Sequence, residues 1–579
     1  MIQKILISAS LLIGALNLHA IEITRYVRPA ATGDGTTPEN PSGNLGSMLA
    51  LSEKVDKLTL FVAPGFYSIN LPDNDLNFRN VELDGSWEAE TSTEKVHIHH
   101  PGVGFHNSKL YNVSFSGGVQ LNGGTMINCE AEKHITMTVA NGDVDLISCK
   151  AANFRAENWA SAQGRKIFMF DCSTSGKGGT GFFAKSISRI KAIECKFNNC
   201  SQAGIDLDNC NSVEFSDCEF CFNSGDGAVR LISFDNSATA LFSRCQFIAN
   251  DVTNNRQYNV HVYSNVTFTD CLFAANREKD SARKGFIHLS RPDFLIRNCT
   301  FVDNFGALEL ESYYPDRYQI INCAFWNNGS TVVHSDAGTN IPLLCCAMDH
   351  GTGIPELDAE KGIIMLTEAN KGFRFNGATI DIEPSSVLIN RGAYRPLDSH
   401  DLYRHPRNTF GATDIGCVEF ISTPGFWQAD TTTVATSEGN YRLFTSNVND
   451  TPYYLLGPET AAASADVHFN EYDWDIIYLD KMPVAPKAHT LNNGTTIIER
   501  HLNIPGQTSM ISNLAKRNSA TRQWYTYGSY EYDTPKQRPT VKITPSGAEF
   551  VKPATTPARK TGTSTRKTTS TKRTATKRR

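Results

Sequence analysis

Five short segments carry an ionisable residue at one shared place: Gly204-Ile-Asp-Leu-Asp208, Ala228-Val-Arg-Leu-Ile232, Asn259-Val-His-Val-Tyr263, Phe286-Ile-His-Leu-Ser290 and Ala307-Leu-Glu-Leu-Glu311. Each alternates with the period of two of a β-strand. Ile205, Val229, Val260, Ile287 and Leu308 therefore face one side, and Asp206, Arg230, His261, His288 and Glu309 the other. Stacked strands would gather the second set into one outward column with neighbours ~5 Å apart. Arg230, His261 and His288 would span ~10 Å, a reach suited to holding a sugar carboxylate or sulfate and moving a proton near neutral pH. In a β-elimination, Arg230 neutralises the substrate carboxylate, His261 or His288 takes the adjacent proton, and Tyr263, in a second outward column, serves as the acid. Asp206, Tyr263 and Glu309 complete the glycan-contacting set. Arg256 and Arg283 join it from two long excursions, Asp251 to Tyr258 and Arg277 to Gly285. Glycoside hydrolysis by Asp206 and Glu309 is excluded, because four coil steps set them ~19 Å apart against the ~5 to 9.5 Å that paired carboxylates need. The plain alternative is that outward strand positions are polar because they face water, and the residues leave catalysis open.

What must position this column is a repeat. Between Met126 and Asn328 the chain states the same pattern nine times, at intervals of 20 to 28 residues: an apolar residue, two more, and a Cys, usually followed by Phe and Asn. The Cys residues are Cys129, Cys149, Cys172, Cys195, Cys218, Cys245, Cys271, Cys299 and Cys323; the last five head full Cys-x-Phe-x-x-Asn copies such as Cys245-Gln-Phe-Ile-Ala-Asn250. The residue before each Cys is usually Asn, Asp or Ser, types that bend a chain and satisfy their own backbone groups. A strand therefore ends, turns and restarts. Several short strands per repeat of this length fit one coil of a parallel β-helix, which buries a continuous core by stacking on its neighbours.

These repeats resemble the right-handed parallel β-helix, pectin-lyase-like superfamily, in the Phe-x-x-Asn form found in bacterial surface and secreted proteins. Tyr26-Val-Arg-Pro-Ala-Ala-Thr-Gly-Asp-Gly35, a helix-like stretch from Leu45 to Val55, and Leu60-Phe-Val-Ala-Pro-Gly-Phe-Tyr67 are similar to the N-terminal cap and first coil of such proteins. Asn390-Arg-Gly392, Asp401-Leu-Tyr-Arg-His-Pro-Arg407 and Thr413-Asp-Ile-Gly-Cys-Val-Glu419 resemble a last coil. The resemblance implies a fold but no single activity, since the superfamily hosts lyases, hydrolases, adhesins and phage spikes. Of the polygalacturonase-like pattern only Arg189-Ile-Lys191 is present, so that activity is not carried over.

The expected fold is all-β: a right-handed parallel β-helix over 21–422, a smaller β-rich domain over 423–547, and a disordered basic Thr/Lys/Arg tail over 548–579. Residues 1–20, with Lys4, an apolar run from Ile5 and a small residue at Ala20, read as a secretory signal. The expected product is a secreted or cell-surface protein with no transmembrane span. From Lys552 onward the tail holds ten of the chain's 55 Lys and Arg and no acid, leaving 45 against 60 acids in the rest. Such a tail suits an anionic surface, and the solenoid an acidic polysaccharide or cell-surface glycan. Trp427, Tyr453, Tyr454, Trp474, Trp524 and Tyr527 could stack on sugars or simply form a core. Fifteen Cys, an odd number, fit stacked buried thiols better than a disulfide ladder. No metal site is expected: Cys195, Cys200, Cys218 and Cys221 do not converge on one point. Calcium on Asp206 and Asp208 is an option, although it wants six or more oxygens. Nothing points to a nucleotide, haem or nicotinamide cofactor.

Overall fold

The computed structural model describes residues 20 to 421, except 72–75, 92, 158–163, 177–178, 234, 254–257, 279–284, 330–331, 336–340, 351–361, 384, 394–398 and 408–412, and the strands between 428 and 551. Residues 22 to 365 wind into a parallel β-solenoid with three strand stacks. The first sheet runs from Glu22–Val27 through strands such as Ser212–Ser216 and Thr239–Ser243 to Leu343–Leu344. The second holds Glu219–Cys221, Gln246–Ile248, Leu272–Ala274, Thr300–Val302 and Ala324–Trp326. The third holds Ala203–Asp208, Gly227–Ile232, Val260–Tyr263, Ile287–Leu289, Leu308–Leu310 and Val333–Ser335. The helix-like stretch at the start is an α-helix, Leu45–Leu49, capped by the Asn44 side chain and continued as a 3-10 turn, Ala50–Glu53. No helix is long and apolar enough to cross a membrane.

Period-two alternation makes the strands, and two one-residue corners make the coil. The residue before each of the nine repeat Cys, from Asn128 to Asn322, takes a left-handed backbone with φ between 50° and 57°. Asn, Asp and Ser tolerate that region, but Glu194 and Arg244 do not favour it. There the parallel hydrogen bonds on both sides set the backbone, as Glu194 N–H to Ser216 O at 3.0 Å illustrates. The second corner falls between the second and third sheets, at positive-φ residues Asn199, Phe222, Ala249, Ala275, Asp303 and Asn327. Five of these precede a buried Asn. The amides of Asn250, Asn276, Asn304 and Asn328 form a ladder: each of the first three donates to the next Oδ1, at 3.0, 2.7 and 2.8 Å. Each of the four also donates to a Phe carbonyl of the preceding coil, as Asn276 does to Phe247 O at 2.8 Å. The ladder satisfies groups that no strand can reach at a corner.

Inside, the repeat's Phe rings stack coil on coil. Phe197, Phe220, Phe247, Phe273, Phe301 and Phe325 follow at centroid separations of 5.7, 4.9, 4.7, 4.7 and 4.8 Å. The apolar position three before each Cys forms a second column, with Phe215, Phe242 and Phe268 stacked at 5.3 and 5.0 Å. Each fully buried Phe contributes roughly 1.5–3 kcal/mol of transfer free energy. All fifteen Cys are free, buried thiols. The nine repeat Cys are joined by Cys346, a tenth rung that lacks the Phe and Asn that mark the others. The thiol typically donates to the carbonyl two residues back, as Cys218 Sγ does to Ser216 O at 3.3 Å.

The segment read as a last coil is instead a return. From Leu388 to Phe420 the described chain adds no strand to the three sheets; it lies back along the corner between the first and second sheets. Gly416 N–H bonds Asn322 O at 2.8 Å and Cys417 N–H bonds Thr300 Oγ1 at 2.9 Å. At Gly416, φ is 103° and a Cβ would stand 2.7 Å from Thr300 Oγ1, so only glycine fits. Leu388, Leu402, Ile415 and Val418 bury the outward Ile248, Ala274 and Val302 of the second sheet. Arg407 is pinned beneath, bonding Asp270 Oδ1 through Nε and Nη2 at 3.0 and 2.7 Å and Glu419 Oε2 through Nη1 at 3.1 Å. Arg404 reaches Glu194 and Asp217 on earlier corners. The motif Asp401 to Arg407 carried too few alternating apolars to form a coil; its charges serve this fastening.

Beyond 421 the described elements are antiparallel: four strands from Gln428–Thr436 to Asp475–Ile477, four from Lys487–Thr490 to Trp524–Tyr532, and the hairpin Thr540–Thr544 with Gly547–Val551. The signal-like 1–19, the tail from 552 onward, and the side chains of Trp427, Tyr453, Tyr454, Trp474, Trp524 and Tyr527 lie outside the described residues.

Candidate functional site

The third sheet brings the expected column together. Asp206 pairs in register with Arg230, Arg230 with His261, His261 with His288, and His288 with Glu309. One rung further stands His334, and one rung earlier Phe183. The rings of His261 and His288 lie 5.0 Å apart, the spacing that parallel rungs impose.

Electrostatically the column divides. At its start Arg230 Nη1 donates to Asp206 Oδ1 at 2.6 Å, with both side chains partly exposed. Burial pushes the Asp206 carboxyl above its usual value, and Arg230 pulls it back. In the next outward column Asp208 lies 3.5 Å from Lys185 Nζ. With one carboxylate held by a guanidinium and the other beside an ammonium, Asp206 and Asp208 do not fit a calcium ion as placed. Among the described residues no cluster of three or more His, Cys, Asp or Glu could hold a metal.

Further along, an aromatic group forms. Tyr258, the last residue of the first excursion, lays its ring flat on His288 at 4.0 Å and 7°, and stands 5.5 Å from His261. Its hydroxyl donates to Glu309 Oε1 at 3.0 Å. His288 is left 5% exposed, with Glu311 Oε1 3.3 Å from Nε2 and Ser290 Oγ 3.4 Å from Nδ1. His261 stays half-buried on the outer side. Tyr263 faces out in the neighbouring column beneath Arg291, whose guanidinium carbon sits 4.8 Å from the ring centre. Arg291 is anchored by Asn236 and by Ser233 O. Arg256 and Arg283 lie outside the described residues.

Tyr258 is the residue that period-two reasoning passes over, since it precedes the strand and belongs to neither column. One signal was available: an aromatic directly before Asn259, which the structure buries as an anchor donating to Asn250 O at 2.9 Å. Chemically, the patch offers one imidazole face at His261, an aromatic surface at Tyr258 and Tyr263, and cations at Arg230 and Arg291. It can stack a sugar ring and bond its substituents.

No family model matches the chain, and no curated protein matches it. Among solved structures, the mannuronan C-5 epimerase AlgE4 A-module of Azotobacter vinelandii is similar at 11% identity, over 55% of this chain and 97% of that one, with a TM-score of 0.28. A likeness at that score carries no functional argument, and the assignment of a parallel β-solenoid rests on the strand pairing above.

Proposed function

We propose that this chain is an exported solenoid, secreted or held at the cell surface, that binds an acidic polysaccharide along its third sheet. The observation that carries the reading is the in-register run Arg230, His261, His288 with Tyr258 and Tyr263 beside it. It is a guanidinium, two imidazoles and two phenols at a rung spacing comparable to one sugar of an extended chain. Binding is favoured over turnover. Arg230 is already engaged by Asp206, and His288 is roofed by Tyr258, so neither is poised as β-elimination requires. If the protein does cleave, His261, half-buried on the outer side of the column, is the candidate base, and a lyase fits better than a hydrolase. A non-catalytic adhesin-like solenoid, anchored by the basic tail to an anionic surface, is the companion reading, and its glycan contact would be the same.

Titration calorimetry of the full chain with a panel of uronic-acid polysaccharides, alongside ultraviolet absorbance for the unsaturated uronide, tests this. We expect saturable binding of at least one acidic polymer, weakened by salt, and lost on replacing Arg230 and His261 together by Ala. Unchanged binding in that variant would remove the third sheet from the function. A rise in absorbance that His261→Ala abolishes would make the protein a lyase.

A further inference from the structure

The outer face of the first sheet has the wrong composition for a surface that only meets water. Along one outward register column, Tyr111, Ile127, Ile147, Phe170 and Ile193 occupy five successive coils. Past Asp84 the column continues through Phe61 and Tyr26, whose rings stack at 5.5 Å. A sheet face open to solvent ordinarily turns polar residues outward, as this same column does later at Ser216, Ser243 and Thr269. The change comes at the coils where Arg404 meets Glu194 and Asp217, while the described apolar residues of the return segment pack on Ile248, Ala274 and Val302 of the second sheet and not on this stretch.

Beside the stretch, between Thr125 and Glu214, opens a concavity of about 640 Å³. Ile147 and the outward ring of Phe168 lie in it, with Lys166, Arg189 and Lys191 around them. Lys191 is paired with Glu214 at 2.7 Å and Lys166 stands 3.9 Å from Asp143, while Arg189 has no ion-pair partner among the described residues. Burial pushes the Asp145 carboxyl above its usual value, and Lys166 pulls it back.

We propose that this face is a second binding surface, separate from the third-sheet column, that takes an acidic glycan chain laid along the solenoid axis. Phe168 is the platform for one sugar ring, and Arg189 with Lys166 holds its carboxylate or sulfate. Three features single out a glycan. An aromatic platform matches the apolar faces of pyranose rings. A cation without a partner matches their acid groups. A coil repeat of ~4.8 Å lets successive rungs meet successive sugars. A second copy of the chain would cover the apolar column but would also have to desolvate the charged rim around Lys166, Arg189 and Lys191.

The test screens the full chain on uronate-containing and sulfated oligosaccharides with neutral ones as controls, then titrates the tightest binder. All substitutions lie on outward positions, and unchanged melting is the folding control. We expect Phe168→Ser with Arg189→Gln to weaken binding at this surface at least about tenfold, with Arg189→Lys intermediate, and Arg230→Ala with His261→Ala to leave that component intact. Four results would overturn the proposal: no acidic oligosaccharide binds; neutral ones bind as well; only the third-sheet variant loses affinity; or the chain forms a concentration-dependent dimer that Ile147→Lys disperses.

Discussion

Replacing Arg407 by Met strips the return segment of its deepest fastening. The wild-type guanidinium makes four hydrogen bonds, two to Asp270 Oδ1, one to Glu419 Oε2 and one to Gly416 O at 2.9 Å, and its side chain has no exposure. Asp270 and Glu419 are buried as well, at 2% and 0% side-chain exposure, so removing the cation leaves two carboxylates without compensation. Breaking one partner out of a buried pair costs about 3–5 kcal/mol. Because the cluster lies at the centre of the segment's contacts, that cost falls on its opening and corresponds to a roughly hundredfold to several-thousandfold larger open fraction. Limited proteolysis reads it directly, since opening exposes the chain around 399–407 and uncovers Ile248 and Val302 for dye binding. Adding Asp270→Asn and Glu419→Gln to Arg407→Met should recover much of the loss, because a neutral set has no charge to desolvate. The wild type also carries a pH signature. Burial pushes Asp414 up to about 7 and Glu419 well above the ordinary carboxylate range. For acids raised in the folded state, the folded chain binds more protons than the unfolded one, so stability is greatest at low pH and declines as pH rises through the ordinary range toward 7. Opening should therefore be larger at about pH 8 than at about pH 5. Cleavage of Arg407→Met no faster than wild type, or an opposite pH slope, would refute the account of this cluster.

Three further outcomes follow from the geometry. Asn276→Ala removes bonds to Phe247 O, Asn250 and Asn304 inside a corner that water does not reach, and should lower stability by about 3 kcal/mol or more; a denaturation midpoint within error of wild type would mean that the amide ladder contributes nothing. Native protein should be inert to a thiol reagent, and unfolded protein should release fifteen thiols, one per Cys; a lower count would reveal disulfides. Tyr258→Ala should uncover His288 to acylation by diethyl pyrocarbonate, whereas Tyr258→Phe keeps the 4.0 Å stack and should leave the rate nearly unchanged; equal rates in all three proteins would show that the tyrosine does not cover the imidazole.

Wherever a local rule and the coil demanded the same thing, the sequence was legible. Cys218-Glu-Phe220 places two residues on one face of a short strand, Asn322 suits a left-handed corner, and Asp206 to Glu309 fall into register once their apolar neighbours are aligned. Legibility failed where tertiary contacts overrule local preference. Glu194 and Arg244 hold corners that their types disfavour, because the strands on either side dictate the backbone. Cys346 escaped notice because its coil keeps the thiol but not the Phe and Asn. The return segment is illegible because Arg407 joins Asp270 across more than a hundred residues, with Glu419 bonded to the same guanidinium and Asp401 accepting from the Glu419 N–H, a closure that no local pattern signals. Tyr258 was missed for a related reason: its significance lies in the stack on His288, thirty residues further along.

The amide ladder has a direction. The amides of Asn250, Asn276 and Asn304 each donate to the Oδ1 of the next coil, each Oδ1 from Asn223 to Asn328 accepts a backbone N–H from the coil before, and the series ends at Asn223, since Cys200 stands where a further Asn would continue it. The Phe stack starts at nearly the same place, with Phe197. In a solenoid whose stability is close to a sum over neighbouring repeats, this makes Cys200 a seam between two materials. On its C-terminal side lies a column reinforced by regularly stacked rings and the amide ladder, and on the other a softer stretch that lacks the ladder and in which the buried rings of Phe78, Phe105, Phe115, Phe154 and Phe182 do not recur coil by coil. Pulled from its ends, the molecule would yield on the soft side of the seam first, so that the coils bearing His261 and His288 keep their shape under load after the opening coils have unwound.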